Sequence, residues 1–159
     1  MNESFHTHSA EDTIALGERL SELLPARGLV LLIGNLGAGK TTLTKGIAQA
    51  RGAVAAENVS SPTFTLIHEY GEPAIVYHID LYRLDEASEV ASLGLDEILN
   101  RDALVVIEWG ERFPELWPEE RTEVRLEIVD EEERVISVRS FPLSRRTSQQ
   151  CDDGSSQSL

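Results

Sequence analysis

The sequence predicts an α/β protein whose central sheet mixes parallel and antiparallel strands and lies between helices as a three-layer fold. Three observations carry this expectation. Residues 29–33 (LVLLI) and 103–107 (ALVVI) are continuously apolar, the pattern of strands buried on both faces. The first run passes through a glycine-rich loop into good helix formers, giving the order strand-loop-helix. Residues 122–130 and 134–141 alternate apolar and polar side chains around the acidic run 130–133, which predicts a terminal antiparallel hairpin.

The elements follow in chain order. Residues 9–24 carry apolar side chains at 14, 16, 20, 23 and 24, close to helical spacing, with Ser9 as N-cap and Asp12 three residues on. The strand 29–33 is next, then a helix over 42–52 that stops at Gly52. SSPTFTLIHEY (60–70) leads through a proline-containing loop into a strand, and Gly71-Glu72-Pro73 makes a turn. Residues 74–82 form a strand with Ile75, Tyr77, Ile79 and Leu81 on one face and Val76, His78 and Asp80 on the other. Residues 86–100 read as one acidic helix, 103–109 as the second buried strand, and 112–120 as a loop or short helix with two prolines. One domain covers 1–143, and the polar stretch 144–159 is a disordered tail.

At 159 residues, 41% hydrophobic and 26% charged, the chain is ordinary for one globular domain with a proper core. It has no apolar run of membrane-spanning length, and its N-terminus lacks the basic flank and apolar core of a secretory signal. A single cysteine, Cys151, excludes an internal disulfide framework. Together these predict a cytoplasmic location. The net charge of −14 argues against direct nucleic-acid binding, which draws on clustered Lys and Arg; a partner would have to supply a basic face.

Gly34-Asn35-Leu36-Gly37-Ala38-Gly39-Lys40-Thr41 matches G-x-x-x-x-G-K-[ST], the P-loop. It follows a buried strand and opens a helix, the context in which backbone N–H groups and the helix N-terminus hold phosphate. The fold is therefore P-loop NTPase-like. Lys40 would bridge β- and γ-phosphates and the Thr41 hydroxyl would ligate Mg²⁺, with Gly37, Ala38, Gly39 and Thr42 completing the nucleotide cradle. Mg²⁺ prefers oxygen ligands and takes one or two carboxylates beside the phosphates. Asp80 and Glu108 both stand where a strand leaves the core, and at least one of them should reach the metal. The chain contains neither D-x-x-G, N-K-x-D nor L-S-G-G-Q, so regulatory GTPases and transporter ATPases are excluded. His78 shares a face with Asp80, but His-x-Asp alone is a poor metal signature and His78 reads as structural.

GNLGAGKTTLTKGI, SPTFTLIHEY, HIDLYRL and IEWGER, in this order and at these intervals, closely resemble the TsaE family over roughly residues 9–141. These are small bacterial P-loop ATPases of tRNA threonylcarbamoyladenosine synthesis. The resemblance implies ATP and Mg²⁺ as cofactors, with Thr41 and Glu108 as metal ligands. It implies that Asp80 is needed for activity, directed either at the metal's water shell or at the attacking water. Thr13 and Arg134 match positions that flank the base. Arg134 would stack on adenine, or else merely offset Glu131, Glu132 and Glu133. Thr63, in a switch-like loop, is either a γ-phosphate sensor or a strand-entry threonine. Trp109 is either a ring beside the nucleotide or a core tryptophan. The implied partners are TsaD, which transfers the threonylcarbamoyl group, and its non-catalytic paralogue TsaB, with tRNA met only through that complex. The implied activity is weak Mg²⁺-dependent ATP hydrolysis that supports many rounds of modification. Two rivals stand beside it: a small-molecule phosphotransferase with Asp80 as base, and an ATP-dependent docking module without required hydrolysis.

Overall fold

A computed structural model describes residues 2–142; the predicted tail, 144–159, lies outside the described residues. The chain runs β1 (Asn2–Thr7), α1 (Ala10–Leu23), β2 (Gly28–Ile33), α2 (Lys40–Ala50), β3 (Ile67–Tyr70) and β4 (Val76–Asp80). It continues through α3 (Ala87–Ala91), α4 (Leu95–Leu99), β5 (Leu104–Glu108), β6 (Arg121–Ile128) and β7 (Arg134–Phe141). Short 3₁₀ turns occupy Ala56–Asn58, Gly110–Arg112 and Pro114–Leu116.

The seven strands form one sheet in the order β1-β7-β6-β2-β5-β4-β3. β2 pairs in parallel with both β5 and β6, and β4 pairs in parallel with β5. The outer pairings of β3 with β4, β6 with β7, and β1 with β7 are antiparallel. Residues alternate between two cores, as the strand period requires. Val30, Leu32, Val76, Leu104 and Val106 face α1 and α2, where they meet Leu16, Leu20, Leu43 and Ile47. Leu29, Leu31, Ile79, Val105 and Ile107 face the opposite layer of Val90, Leu95, Ile98 and Phe113. This is the expected three-layer α/β arrangement.

α1 begins where the sequence indicates. The Ser9 hydroxyl accepts from the Asp12 backbone N–H at 3.0 Å, and the Asp12 carboxylate accepts from the His8 N–H at 3.0 Å. α1 and α2 then cross at backbone contact. A Cβ on Gly17 would stand 2.3 Å from the Leu43 carbonyl oxygen, and one on Gly46 would stand 2.0 Å from that of Ile14. Both glycines sit inside helices, where glycine is a poor helix former; the close approach accounts for them.

Two expectations need correction. The single helix over 86–100 is two short helices separated at Gly94, whose φ of 75° ends one helical path before the next begins. The N-terminal residues supply a strand, β1, that hydropathy does not announce. It lies at the sheet edge with only Thr7 buried, so its pairing with β7 rests on backbone hydrogen bonds more than on apolar burial.

Candidate functional site

β2 ends under the glycine-rich loop, and α2 starts at its last residues. Gly37 and Gly39 have φ of 82° and 102°, a region closed to most L side chains; they turn the chain so that α2 presents its N-terminus to an open cavity. That cavity, about 390 Å³, is bordered by Gly37–Thr42, Ser61, Thr63, Asp80, Tyr82, Glu108 and Trp109. β4 and β5 deliver its two acids side by side, because the parallel register sets Asp80 against Glu108.

The polar groups are closely tied. The Thr41 hydroxyl donates to Glu108 Oε2 at 3.0 Å. Asp80 Oδ2 accepts from the Ser61 and Thr63 hydroxyls at 2.9 and 3.0 Å, while Oδ1 accepts from the Tyr82 N–H at 2.8 Å. Lys40 Nζ donates to the Gly34 carbonyl at 2.6 Å and lies 3.5 Å from the centre of the Trp109 ring, a cation–π contact. Burial lowers the Lys40 pKa below the ordinary lysine value, and the charges of Glu108, Glu111 and Asp80 partly oppose this. Trp109 itself has a φ of 67°, an unusual conformation for a bulky residue, and packs against Tyr82 at 5.2 Å between ring centres.

A second cavity of about 280 Å³ lies across the loop, bordered by Ser9, Thr13, Gly37–Gly39, Thr42, Glu131, Glu132 and Arg134. Among the described residues Arg134 meets its acidic neighbours through their backbone carbonyls and forms no salt bridge to their carboxylates. Its Nε and one terminal nitrogen donate to the Ala38 and Gly37 carbonyls at 3.2 Å each, and the other nitrogen donates to the Asp130, Glu131 and Glu133 carbonyls. Thr13 is buried and hydrogen-bonds Thr7 and the Ser9 carbonyl.

The sequence-predicted residues therefore divide in two. Lys40, Thr41, Asp80 and Glu108 meet in the first cavity, Thr13 and Arg134 in the second, and Gly37, Ala38, Gly39 and Thr42 form the wall between them. The first cavity fits Mg²⁺: the Thr41 hydroxyl and the Glu108 carboxylate are hard oxygen donors, 3.0 Å apart, at the start of α2.

The sequence model described as "Threonylcarbamoyl adenosine biosynthesis protein TsaE" matches residues 7–136. The chain belongs to the TsaE family. The Mycobacterium tuberculosis protein named tRNA threonylcarbamoyladenosine biosynthesis protein TsaE is 44% identical over 142 residues, covering 82% of each chain. The Bacillus subtilis protein of the same name is 36% identical over 134 residues, covering 84% of this chain and 82% of its own. The crystal structure of Bacillus subtilis YdiB superposes with a TM-score of 0.69 at 27% identity, covering all of this chain and 97% of that one. The family is one of tRNA threonylcarbamoyladenosine biosynthesis. Among the described residues no helix is long and apolar enough to cross a membrane.

The fold adds contacts that the motifs do not specify. Ser61 joins Thr63 on Asp80, and His78 reaches Glu108 across the sheet. A signal for His78 exists in retrospect: it lies on the same strand face as Asp80, on the strand next to the one that carries Glu108.

Proposed function

We propose that this chain binds ATP with Mg²⁺, hydrolyses it slowly, and acts with TsaD and TsaB to sustain repeated rounds of tRNA threonylcarbamoyladenosine formation. The observation that carries this reading is the convergence of Lys40, Thr41, Asp80 and Glu108 in one cavity at the N-terminus of α2. The phosphates would lie against the backbone N–H groups of Gly37–Thr41, with the positive end of α2 beneath them. Lys40 would leave the Gly34 carbonyl and the Trp109 face for the β- and γ-phosphate oxygens. Thr41 and Glu108 would hold Mg²⁺, which when bound neutralises charge developing between the phosphates. The base would occupy the cavity between Thr13 and Arg134, where the guanidinium is held by its edges and keeps a face available for stacking.

Asp80 would orient the attacking water in line with the γ-phosphate. Its oxygens also accept from the Ser61 and Thr63 hydroxyls and the Tyr82 backbone N–H, which fix the carboxylate and leave lone-pair capacity for a water. Among the described residues no arginine borders this cavity, which supports slow turnover by the isolated chain and completion of the site by a partner. The same lack of an arginine favours one rival, an ATP-dependent docking module that does not need hydrolysis.

The experiment is reconstitution of threonylcarbamoyladenosine formation over many turnovers with TsaB–TsaD, ATP and tRNA, with and without this chain. Product beyond one equivalent per complex should require it; equal yield without it would refute the function. Asp80→Ala separates the two versions, because modification at full rate without hydrolysis would favour docking alone.

A further inference from the structure

His78 is fully buried on β4, and the two nitrogens of its ring have different surroundings. Nε2 lies 2.5 Å from Glu108 Oε2, whereas Nδ1 is buried without a hydrogen-bond partner among the described residues. The acceptor on one side selects the tautomer with hydrogen on Nε2. Tyr70 flanks the ring, with centroids 6.4 Å apart.

Register explains the contact. His78 pairs with Val106, two residues before Glu108 on the adjacent parallel strand, and both side chains lie on the α2 face of the sheet. Glu108 Oε2 thus receives His78 from the sheet and Thr41 from α2. Both hydrogen bonds of the Glu108 carboxylate among the described residues fall on Oε2, which leaves Oε1 without one, and Glu108 borders the cavity. A carboxylate held by one oxygen and open at the other is prepared to give a metal a single, directed bond. An apolar residue at 78 would fill the same volume without leaving a buried nitrogen unpaired, so packing alone does not account for a histidine here.

We infer that His78 is a positioning residue for the metal: its Nε2–H holds Glu108 by Oε2 and turns Oε1 toward the Mg²⁺ of bound nucleotide. This rests on the reading of the cavity as a Mg²⁺–ATP site. Partners that orient a metal-binding side chain influence metal affinity by about 10- to 100-fold.

Calorimetric titration of the full chain with ATP, in Mg²⁺ and in EDTA, tests it. In His78→Leu the gain in affinity from Mg²⁺ should fall about tenfold or more, while affinity in EDTA stays within about threefold of wild type. His78→Gln, whose amide N–H reaches the position of Nε2, should restore most of the gain. If His78→Leu lacks a cooperative thermal transition, His78→Asn, too short to reach Glu108, replaces it with the same expectation. The inference is overturned if the Mg²⁺ gain survives removal of the donor, if affinity falls equally with and without Mg²⁺, or if Gln behaves like Leu. A wild-type chain with no Mg²⁺ gain would overturn the nucleotide–metal reading as well; a normal wild-type gain that His78→Leu leaves intact overturns only the role of His78.

Discussion

The two cavities on either side of the glycine-rich loop are built differently. On the proposed phosphate side, Lys40, Asp80 and Glu108 are 5%, 2% and 3% exposed and come from the central strands and the start of α2. They are held mainly by other side chains. On the proposed base side, Arg134 comes from the outer hairpin and Thr13 from α1, and the guanidinium binds backbone carbonyls. Chemistry at the phosphates needs charges fixed in a dry setting. Base contact needs only a bordered slot, which edge elements can provide.

Substitutions should separate the two sides. Glu108→Ala is expected to have the largest effect, lowering ATP turnover by about 10²–10³-fold and weakening Mg²⁺-dependent binding of ATP and inorganic triphosphate alike. Turnover assays and titrations with both ligands check this; a loss confined to ATP would break the division. Gly46→Val should disturb both sides at once. Forcing a side chain against the Ile14 carbonyl should destabilise the chain by about 3 kcal/mol or more, read as a lowered denaturation midpoint. Arg134→Ala should weaken ATP by about tenfold while sparing inorganic triphosphate, and Arg134→Lys should not restore it, because lysine lacks the guanidinium fork.

Smaller effects concern charge. Burial lowers the pKa of Lys40, so between its folded value and the ordinary lysine value the unfolded chain binds the extra proton. Stability from this group therefore rises with pH through that window, and its unfavourable contribution is fully present below it. Lys40→Met should raise the melting temperature of the nucleotide-free chain at neutral pH, abolish ATP binding, and lose its advantage as pH climbs through the alkaline window. Thermal melts across pH test the sign. The smallest expected signal is tRNA binding by the isolated chain: with a net charge of −14, a mobility-shift titration at physiological salt should show none.

The same division governed what the sequence disclosed. In the first cavity, the apolar run 103–107 ends at Glu108 and the alternating strand 74–82 carries Asp80 near its end, and parallel register brings the two acids together. In sequence His78 reads as structural, because a lone histidine on a strand does not name its neighbour. Its contact depends on β4 lying beside β5, which is a matter of strand order. In the second cavity, family resemblance points to Thr13 and Arg134; residue chemistry leaves stacking and charge compensation open for Arg134, and its hydrogen bonds to the loop carbonyls follow only from the fold. β1 leaves no mark in hydropathy because an edge strand need not be apolar, and 86–100 reads as one helix because a single glycine, Gly94, is a weak breaker in sequence.

The contact between Gly17 and Gly46 also limits how the chain can vary. At each position the obstacle to a side chain is a carbonyl oxygen of the opposite helix, an atom that every amino acid possesses. No substitution on that helix can make room for a methyl group, so a damaging change at either glycine has no simple second-site suppressor across the interface. Genetic rescue would have to come from reversion or from a shift of a whole helix, and such a shift would carry the first turn of α1 or of α2 away from the two cavities.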